Sequence, residues 1–246
     1  MKPRILFLVP ADYETLCRKG VSWMIRERDE HGFFERVITV HPLTSAPRIV
    51  DLDAVHRIYE LPLGTALGAS SQWQARLAAP VAVLRTFAAV TRIAREERVD
   101  IVRAMDPYLM GLLGWWIARS LRIPWCISLH AAYAKSFALS PKKGFAQWQR
   151  RVAGLVPRFV LPKAWLLLPV SEYLIDDLVR DGADRAKVRV IPHGIDMTAY
   201  SRQLEPSAHA AFELPPEVPV ISWISRMSGE NYSGDIADIV ERVVRA

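Results

Sequence analysis

The chain has 246 residues, of which 51% are apolar and 24% are charged. This balance is typical of a folded protein with a sizeable core and excludes a disordered one. The two cysteines, Cys17 and Cys126, provide neither a disulfide framework nor the spacing of a metal site. No apolar run reaches the roughly 18 residues of a membrane-spanning helix. The apolar run at 5–9 is too short for the core of a signal peptide, so we expect a cytoplasmic location.

The positive charge is concentrated in one segment. The whole chain has a formal net charge of +6, whereas the stretch between Asp106 and Glu172 contains no acidic residue. The nine basic residues of that stretch are Arg119, Arg122, Lys135, Lys142, Lys143, Arg150, Arg151, Arg158 and Lys163. Such asymmetry indicates an anionic partner: a phosphorylated substrate, a membrane surface or nucleic acid.

Taken in chain order, the sequence alternates between strand and helix patterns. Continuous apolar runs are typical of strands buried on both faces, and apolar residues at helical spacing are typical of helices packed on a sheet. The predicted elements are a strand at 5–9, a helix at 13–30, strands at 37–40 and 56–60, a helix at 72–98 containing Pro80, a strand at 100–104, a helix at 108–121, a strand at 125–129, a helical region at 144–162 broken by Pro157, a strand at 165–170, a helix at 172–181 with Ser171 as its N-cap, and a strand at 187–191.

Strands separated regularly by helices indicate parallel β–α–β units. The expected fold class is therefore α/β, with a doubly wound, Rossmann-like parallel sheet in a domain formed by residues 1–200. Residues 201–217 have the composition of a linker with turns. Residues 218–246 are predicted to form only the first strand (218–225) and the first helix (235–245) of an incomplete second domain.

Ligands of open parallel sheets bind outside the carboxyl ends of the strands. His130 follows the strand 125–129 among small residues, and its imidazole can donate to a hydroxyl or a phosphate near neutral pH. Asp12 equally suits a helix N-cap, and Glu172 equally favours a helix N-terminus electrostatically. The other candidate ligand-binding residues at these ends are Tyr13, Asp106, His193, Gly194 and Asp196.

Four segments in order, together spanning residues 98–226, resemble the family 4 glycosyltransferases. Residues 100–108 (Asp-Ile-Val-Arg-Ala-Met-Asp-Pro-Tyr) are similar to the family's Asp-hydrophobic-Val-His-Ala-His-Asp-Pro motif. Residues 111–130 are similar to its next helix and strand, and Val170-Ser171-Glu172 matches its Val-Ser-Glu segment. Residues 191–196 (Ile-Pro-His-Gly-Ile-Asp) match the element that leads into the family's second domain.

The resemblance implies a two-Rossmann, GT-B enzyme that moves a sugar from a nucleotide-diphosphate donor to a glycan, lipid-linked or small-molecule acceptor. Such enzymes mostly retain the anomeric configuration and need no metal or cofactor. His130 falls where the family has a histidine beside the transferred sugar, and Arg226 falls where an arginine binds the donor diphosphate. Asp12, Tyr13 and Asp106 would face the acceptor.

The sequence departs from the family pattern in ways that bear on activity. Met105 stands where a histidine is common, and no lysine follows Arg226 at the usual distance because Asn231 stands there. The family's paired donor-binding glutamates would lie beyond residue 246. We therefore expect an acceptor-side domain with the start of a donor domain, inactive alone or completed by a partner subunit or a missing C-terminal domain.

The basic segment allows two interpretations. Placed on a helix, the segment would carry an apolar stripe of Phe145, Trp148, Val152, Leu155, Val156 and Phe159. Its charged face is either solvated or rests on anionic lipid at the inner face of the membrane. The lipid-contacting residues would be Lys142, Lys143, Trp148, Arg150 and Arg151. The alternative function is thus a non-catalytic acceptor- or membrane-docking module. Nucleic-acid binding is disfavoured because the aromatic residues share the apolar side and no nucleic-acid motif is present.

Overall fold

The computed structural model describes residues 2–29, 31–63, 73–131, 154–194, 207–215, 217–218, 220 and 241–242, without the side chains of 73–79 and 207. The chain divides into two compact units. The first comprises Met1–Ala132 and Trp148–Pro192, and the second comprises Tyr133–Gln147 and His193–Ala246. All strands described below belong to the first unit.

The first unit is built on a sheet of seven strands, ordered β3-β4-β2-β1-β5-β6-β7. Only β3 is antiparallel to its neighbour, and every other pair is parallel. The strands are β1 (Arg4–Leu8), β2 (Arg36–His41), β3 (Leu43–Asp51), β4 (His56–Pro62), β5 (Ile101–Ala104), β6 (Trp125–Leu129) and β7 (Leu166–Pro169). The chain leaves β1 toward β2 on one side and reaches β5 on the other, which confirms the doubly wound α/β class and creates a crevice at the carboxyl ends of β1 and β5.

Among the described residues, five helices lie between these strands in sequence, and two follow the last strand. They are α1 (Tyr13–Arg18), α2 (Trp23–Arg26), α3 (Trp73–Glu96), α4 (Leu109–Leu121), α5 (residues 154–160), α6 (Ile175–Arg180) and, in the second unit, α7 (Ser207–Ala211). Short 3-10 turns follow α2 at Glu27–Asp29 and α5 at Leu161–Lys163, and another precedes α6 at Glu172–Leu174. No helix in the described part of the chain is both long and apolar enough to cross a membrane.

Both faces of the sheet are buried because side chains alternate along each strand. From β1, Leu6 and Leu8 enter the larger cluster, which includes residues of α3 and α4. Ile5, Phe7 and Val9 enter a smaller cluster on the opposite face, together with Val37. Burial of each such side chain contributes roughly 1.5–3 kcal/mol, and β1 contributes side chains to both cores, as does β2.

Three predictions from the sequence differ from the structure. The helix predicted at 13–30 is broken, because Gly20 takes a left-handed φ of +69° and ends α1. Ser171 makes no side-chain cap, since the chain enters a 3-10 turn there. The strand predicted at 187–191 is one bridge from Val188 to Leu167, with two more backbone hydrogen bonds from residues 189 and 191 to β7.

The edge strand β3 was not predicted. It pairs with β4 in antiparallel fashion, with a register shift between Leu43 and Arg48. Pro47 interrupts the alternating pattern and is tolerated because the strand lies at the sheet edge. Within the predicted linker, residues 207–211 are helical. Most of the strand at 218–225 and the helix at 235–245 lie outside the described residues, although 241–242 are helical.

Candidate functional site

A polar cavity of about 610 Å³ opens beside the carboxyl ends of the strands in the first unit. Its walls come from α1 with its N-cap, the first half of β3 and the end of β4. Asp12, Arg18, Arg48 and Glu60 bring charges of both signs to it. The volume falls within the roughly 300–1,000 Å³ of ordinary ligand sites. A wall of paired charges suits a ligand rich in hydroxyl groups.

Asp12 is the N-cap of α1. Its carboxylate accepts hydrogen bonds from the backbone amide of Thr15 at 2.6 Å and from the Thr15 hydroxyl at 2.9 Å. Burial raises the pKa of Asp12, but these hydrogen bonds outweigh it and hold the pKa below its ordinary value. Asp12 is therefore ionised at neutral pH, and the same carboxylate both caps the helix and lines the cavity.

Glu60, near the end of β4, is buried, at 7% exposed, and joins three elements. It accepts the backbone amide of Tyr13 at 3.0 Å and the Nε of Arg48 at 2.8 Å. The Arg48 guanidinium carbon lies 5.9 Å from the centre of the Tyr13 ring. Tyr13, which we expected at the site, thus contacts two residues of the cavity wall: Glu60 with its backbone amide and Arg48 with its ring.

His41 ends β2 and is fully buried. Its Nδ1 donates to the carbonyl oxygen of Ala11, and its buried Nε2 has no hydrogen-bond partner among the described residues. Burial, together with the charge of Arg28, lowers the pKa of His41 to about 4. The imidazole is therefore neutral at pH 7 and ties β2 to the loop after β1.

Asp106 follows β5 and is buried at the beginning of α4. Its Oδ1 accepts the backbone amide of Tyr108 at 2.7 Å and that of Met110 at 3.4 Å. Burial raises the pKa of Asp106 to about 6, against the opposing effect of these two hydrogen bonds. Asp106 is thus placed at the crevice between β1 and β5, where it organises the start of a helix.

The remaining predicted site residues occupy different places. His130 lies directly after β6 and is half-buried, while Glu172 is exposed at the 3-10 turn before α6. His193 and Gly194 are exposed and belong to the second unit. The predicted residues outside the described part of the chain are Asp196, Arg226, Lys142, Lys143, Trp148, Arg150 and Arg151.

The described part of the basic segment differs from its predicted pattern. On α5, Leu155 is exposed, which the predicted apolar stripe did not anticipate, while the partly exposed Phe159 ring packs edge-on against Trp115 with centroids 4.9 Å apart. Helix α5 is turned so that residues 156, 157 and 160 face the unit instead. Arg158 pairs with Asp181 at 3.4 Å, and the ammonium of Lys163 lies 3.9 Å from the centre of the Phe159 ring.

Sequence reasoning missed several charged residues of the first unit. Arg48 was not predicted at the site because the strand that carries it was not recognised, and Glu60 was not predicted because no local sequence pattern marks it. Arg28 and Arg103 were also missed. In the structure, Arg103 is the register partner of Phe7 on the neighbouring strand. An arginine in an otherwise apolar strand pattern was the available signal for Arg103. Among the described residues, no group of His, Cys, Asp and Glu side chains is arranged to hold a metal ion.

Comparisons with known proteins agree with this architecture. In structure, the sucrose-phosphate synthase of Thermosynechococcus elongatus matches with a TM-score of 0.60 and 16% identity, over 89% of this chain and 54% of that one. A glycosyltransferase of Rickettsia africae matches with a TM-score of 0.55 and 17% identity, over 92% of this chain and 54% of that one. At these identities the likeness shows a shared fold.

The sequence comparisons are more specific. The alpha-monoglucosyldiacylglycerol synthase of Streptococcus pneumoniae is 32% identical over 118 residues, which are 48% of this chain and 26% of that protein. The match therefore spans about a quarter of the relative's length. Residues 70–199, more than half of the chain, match the model of Glycosyltransferase Family 4. The chain belongs to glycosyltransferase family 4.

Proposed function

We propose that the chain takes part in sugar transfer from a nucleotide-diphosphate sugar and that its first unit binds the acceptor. The observation that carries this proposal is the polar cavity at the carboxyl ends of the strands in a chain of family 4. Carboxylates and guanidinium groups held by mutual hydrogen bonds can accept from and donate to sugar hydroxyls. Arg226 would bind the diphosphate of the nucleotide sugar.

The proposed chemistry depends on position and charge. The acceptor hydroxyl oxygen bonds to the anomeric carbon of the sugar, the bond from that carbon to the diphosphate breaks, and the hydroxyl proton leaves with the diphosphate. A guanidinium such as that of Arg226 stabilises the departing negative charge, since its planar fork matches phosphate oxygens. His130, after β6, would hydrogen-bond the transferred sugar. Retention of configuration and independence of metal follow from the family resemblance and remain predictions.

The proposal is tested by sugar transfer with the chain supplied together with the donor-side domain or partner subunit that the sequence leads us to expect. UDP-glucose and GDP-mannose would be offered with octyl glucoside and with dioleoylglycerol in vesicles, with and without EDTA, and products detected by mass spectrometry. We expect a glycosylated product, unaffected by EDTA. His130→Ala should lower the rate about 10²–10³-fold, by analogy with the loss of one stabilising donor. Arg92→Gln, at an exposed position on α3, is the control. Absence of product from every pair, with the chain folded, would contradict the proposal.

A second candidate function is docking on an anionic membrane. The observation that favours it is the exposure of Leu155, Phe159 and Trp165, the last being 66% exposed, near Arg158 and Lys163. Exposed apolar and aromatic side chains beside basic ones suit a lipid headgroup region. The name of the Streptococcus pneumoniae relative indicates a glucosylated diacylglycerol, which is a membrane lipid. A cytoplasmic location at the inner face of the membrane stays a prediction.

Membrane docking is tested by co-sedimentation with phosphatidylglycerol-rich vesicles in the absence of any nucleotide. We expect binding that falls with salt and is reduced by Trp165→Ser. Ile49→Ser is the matched control, because Ile49 is 62% exposed on β3, at the opposite edge of the sheet from β7. Equal binding by the two variants would exclude a contribution from this surface.

A further inference from the structure

Two arginines lie against one buried aromatic ring on the face of the sheet that carries Phe7. The guanidinium carbon of Arg28, in the 3-10 turn after α2, lies 4.5 Å from the centre of the Phe7 ring. That of Arg103, on β5, lies 5.6 Å from the same centre. Phe7 is 2% exposed and is the register partner of Arg103 on the neighbouring strand. The fold therefore brings two positive charges together beside β1.

Each of these arginines has one neutral hydrogen-bond partner. Arg28 donates from Nη1 to the hydroxyl of Thr39 at 2.7 Å, and Arg103 donates from Nε to the hydroxyl of Ser128 at 2.8 Å. Thr39 and Ser128 are both buried. Within the described ranges, neither guanidinium forms a further hydrogen bond or an ion pair. Most of their donors are thus left for another group.

Other partly buried arginines of the sheet are neutralised. Arg36 and Arg57 share the carboxylate of Glu97, at 3.3 Å and 3.1 Å. No acidic residue occurs anywhere between Asp106 and Glu172, so the segment that follows β6 cannot supply a carboxylate. Arg28 and Arg103 are only partly buried, and within the described part of the chain neither has a guanidinium nitrogen that is buried without a partner, so their remaining donors are open to a ligand. Arg28 and Arg103 therefore differ from Arg36 and Arg57, which are each paired with a carboxylate.

The local charges oppose one another. Burial lowers the pKa of Arg28 to about 9, and the charge of Arg103 contributes. Burial also lowers the pKa of Arg103. A bound anion would relieve both the burial penalty and the mutual repulsion. Phe7 and Arg103 lie one position before the last residues of β1 and β5, so the pair is next to the crevice where ligands of such sheets bind.

We propose that Arg28 and Arg103 bind the phosphoryl group of a phosphorylated acceptor. Two guanidinium groups can present parallel N–H donors to phosphate oxygens, which is the recognition that their planar shape favours. A neutral polyol needs no uncompensated arginine pair. That the ligand is the acceptor rests on the proposed function, whereas the inference that it carries a phosphoryl group rests on the two arginines. The diphosphate of the nucleotide sugar shares this chemistry and is distinguished by the experiment.

The experiment measures ligand binding by the full chain through thermal unfolding and calorimetry at constant ionic strength. The probes are inorganic phosphate, glycerol 3-phosphate and UDP, with chloride as the reference anion. We expect phosphate and glycerol 3-phosphate to raise the unfolding midpoint in a saturable way. Arg28→Lys and Arg103→Lys keep the charge but lose the planar fork, so each should raise the dissociation constant at least tenfold. Arg92→Lys, 73% exposed and paired only with Glu96 within the described ranges, should bind as the parent does.

Several results would overturn the proposal. The proposal is wrong if phosphate and glycerol 3-phosphate stabilise the chain no more than chloride does. It is also wrong if both lysine variants bind these two ligands as tightly as the parent. If only UDP binding depends on Arg28 and Arg103, the site serves the donor instead. Sugar transfer without phosphate binding would contradict the phosphate site but not the proposed function. Phosphate binding that needs both arginines, without any sugar transfer, would support the phosphate site and contradict the proposed function.

Discussion

The carboxylate of Glu60 accepts the backbone amide of Tyr13 at 3.0 Å, which ties the end of β4 to the first residue of α1. The two residues are 47 positions apart in sequence. Because the other oxygen of Glu60 accepts from Arg48 at 2.8 Å, one buried side chain joins all three walls of the polar cavity. The shape of the cavity therefore depends on Glu60.

Replacing Glu60 should loosen this junction. In Glu60→Gln the side chain keeps one accepting oxygen, but its NH2 group cannot accept, so either Arg48 or the backbone amide of Tyr13 loses its partner. The loss of a buried acceptor costs about 1–3 kcal/mol, which urea unfolding at pH 7 would measure. Glu96→Gln is the control, because Glu96 is exposed and its 3.8 Å pair with Arg92 should contribute less than about 0.5 kcal/mol. Equal losses in the two variants would contradict the role given to Glu60.

Asp106 should make the protein less stable as the pH rises from about 4 to about 6. Its folded pKa, about 6, lies above the ordinary 3.8 because the carboxyl is buried. The folded state thus holds the proton more tightly, and its contribution is complete at low pH and lost through pH 6. Asp106→Asn keeps an acceptor for the amide of Tyr108 without the titration. At pH 7.5 we expect the free energy of unfolding of the variant to exceed that of the parent by about 2 kcal/mol. At pH 4 the two proteins should be equally stable. A pH-independent difference in urea unfolding would refute this.

His41 should act in the opposite direction. Its folded pKa, about 4, lies below the ordinary 6.5, so the unfolded state takes up the proton more readily. The stability that the neutral imidazole contributes is present above pH 6.5 and is lost as the pH falls toward 4. His41→Asn retains a donor for the carbonyl of Ala11. Relative to the parent, its unfolding free energy should therefore rise by about 2–3 kcal/mol between pH 7.5 and pH 4. Parallel curves for the two proteins would exclude the proposed burial of neutral His41.

Gly114 on α4 is a test of packing against the sheet. A Cβ at this position would lie 3.3 Å from the Cε3 of Trp125 and 3.4 Å from the Cβ of Ala104. Gly114→Ala should overpack this contact and cost about 1–3 kcal/mol in thermal or urea unfolding. Gly154→Ala on α5 is matched, since no described atom lies within 4 Å of its Cβ position, and it should be neutral or stabilising. A stabilising Gly114→Ala would show that α4 packs less closely.

Much of the sheet could be predicted from continuous apolar runs. The strand at 125–129 has the predicted bounds, and β1, β2, β5 and β7 differ from prediction by one or two residues. Strand β3 was missed because an edge strand with a proline lacks the alternation of a half-buried strand. The break at Gly20 was missed because glycine is tolerated in helix patterns, and only its left-handed φ reveals the turn.

The candidate site was less predictable because its contacts join residues that are distant in sequence. The strand-end rule predicted Asp12 and Asp106 as site residues; both follow a strand in the structure, and both carboxylates order the start of a helix. Glu60 has no local pattern that marks it as a link between α1 and β3. The closeness of Arg28 and Arg103 depends on the register of β1 with β5 and on the path of the turn after α2. These are properties of the folded chain.

The central claim, that the first unit binds the acceptor, is tested most directly by the kinetics of Arg18→Ala. Arg18 lines the cavity and donates to the hydroxyl of Thr15 at 3.0 Å on the exposed side of α1. In the transfer assay, we expect its KM for the acceptor to rise about tenfold, the loss of roughly 1.4 kcal/mol of binding. The KM for the nucleotide sugar should stay unchanged, as in Arg92→Ala. An unchanged acceptor KM with a raised nucleotide-sugar KM would contradict the claim.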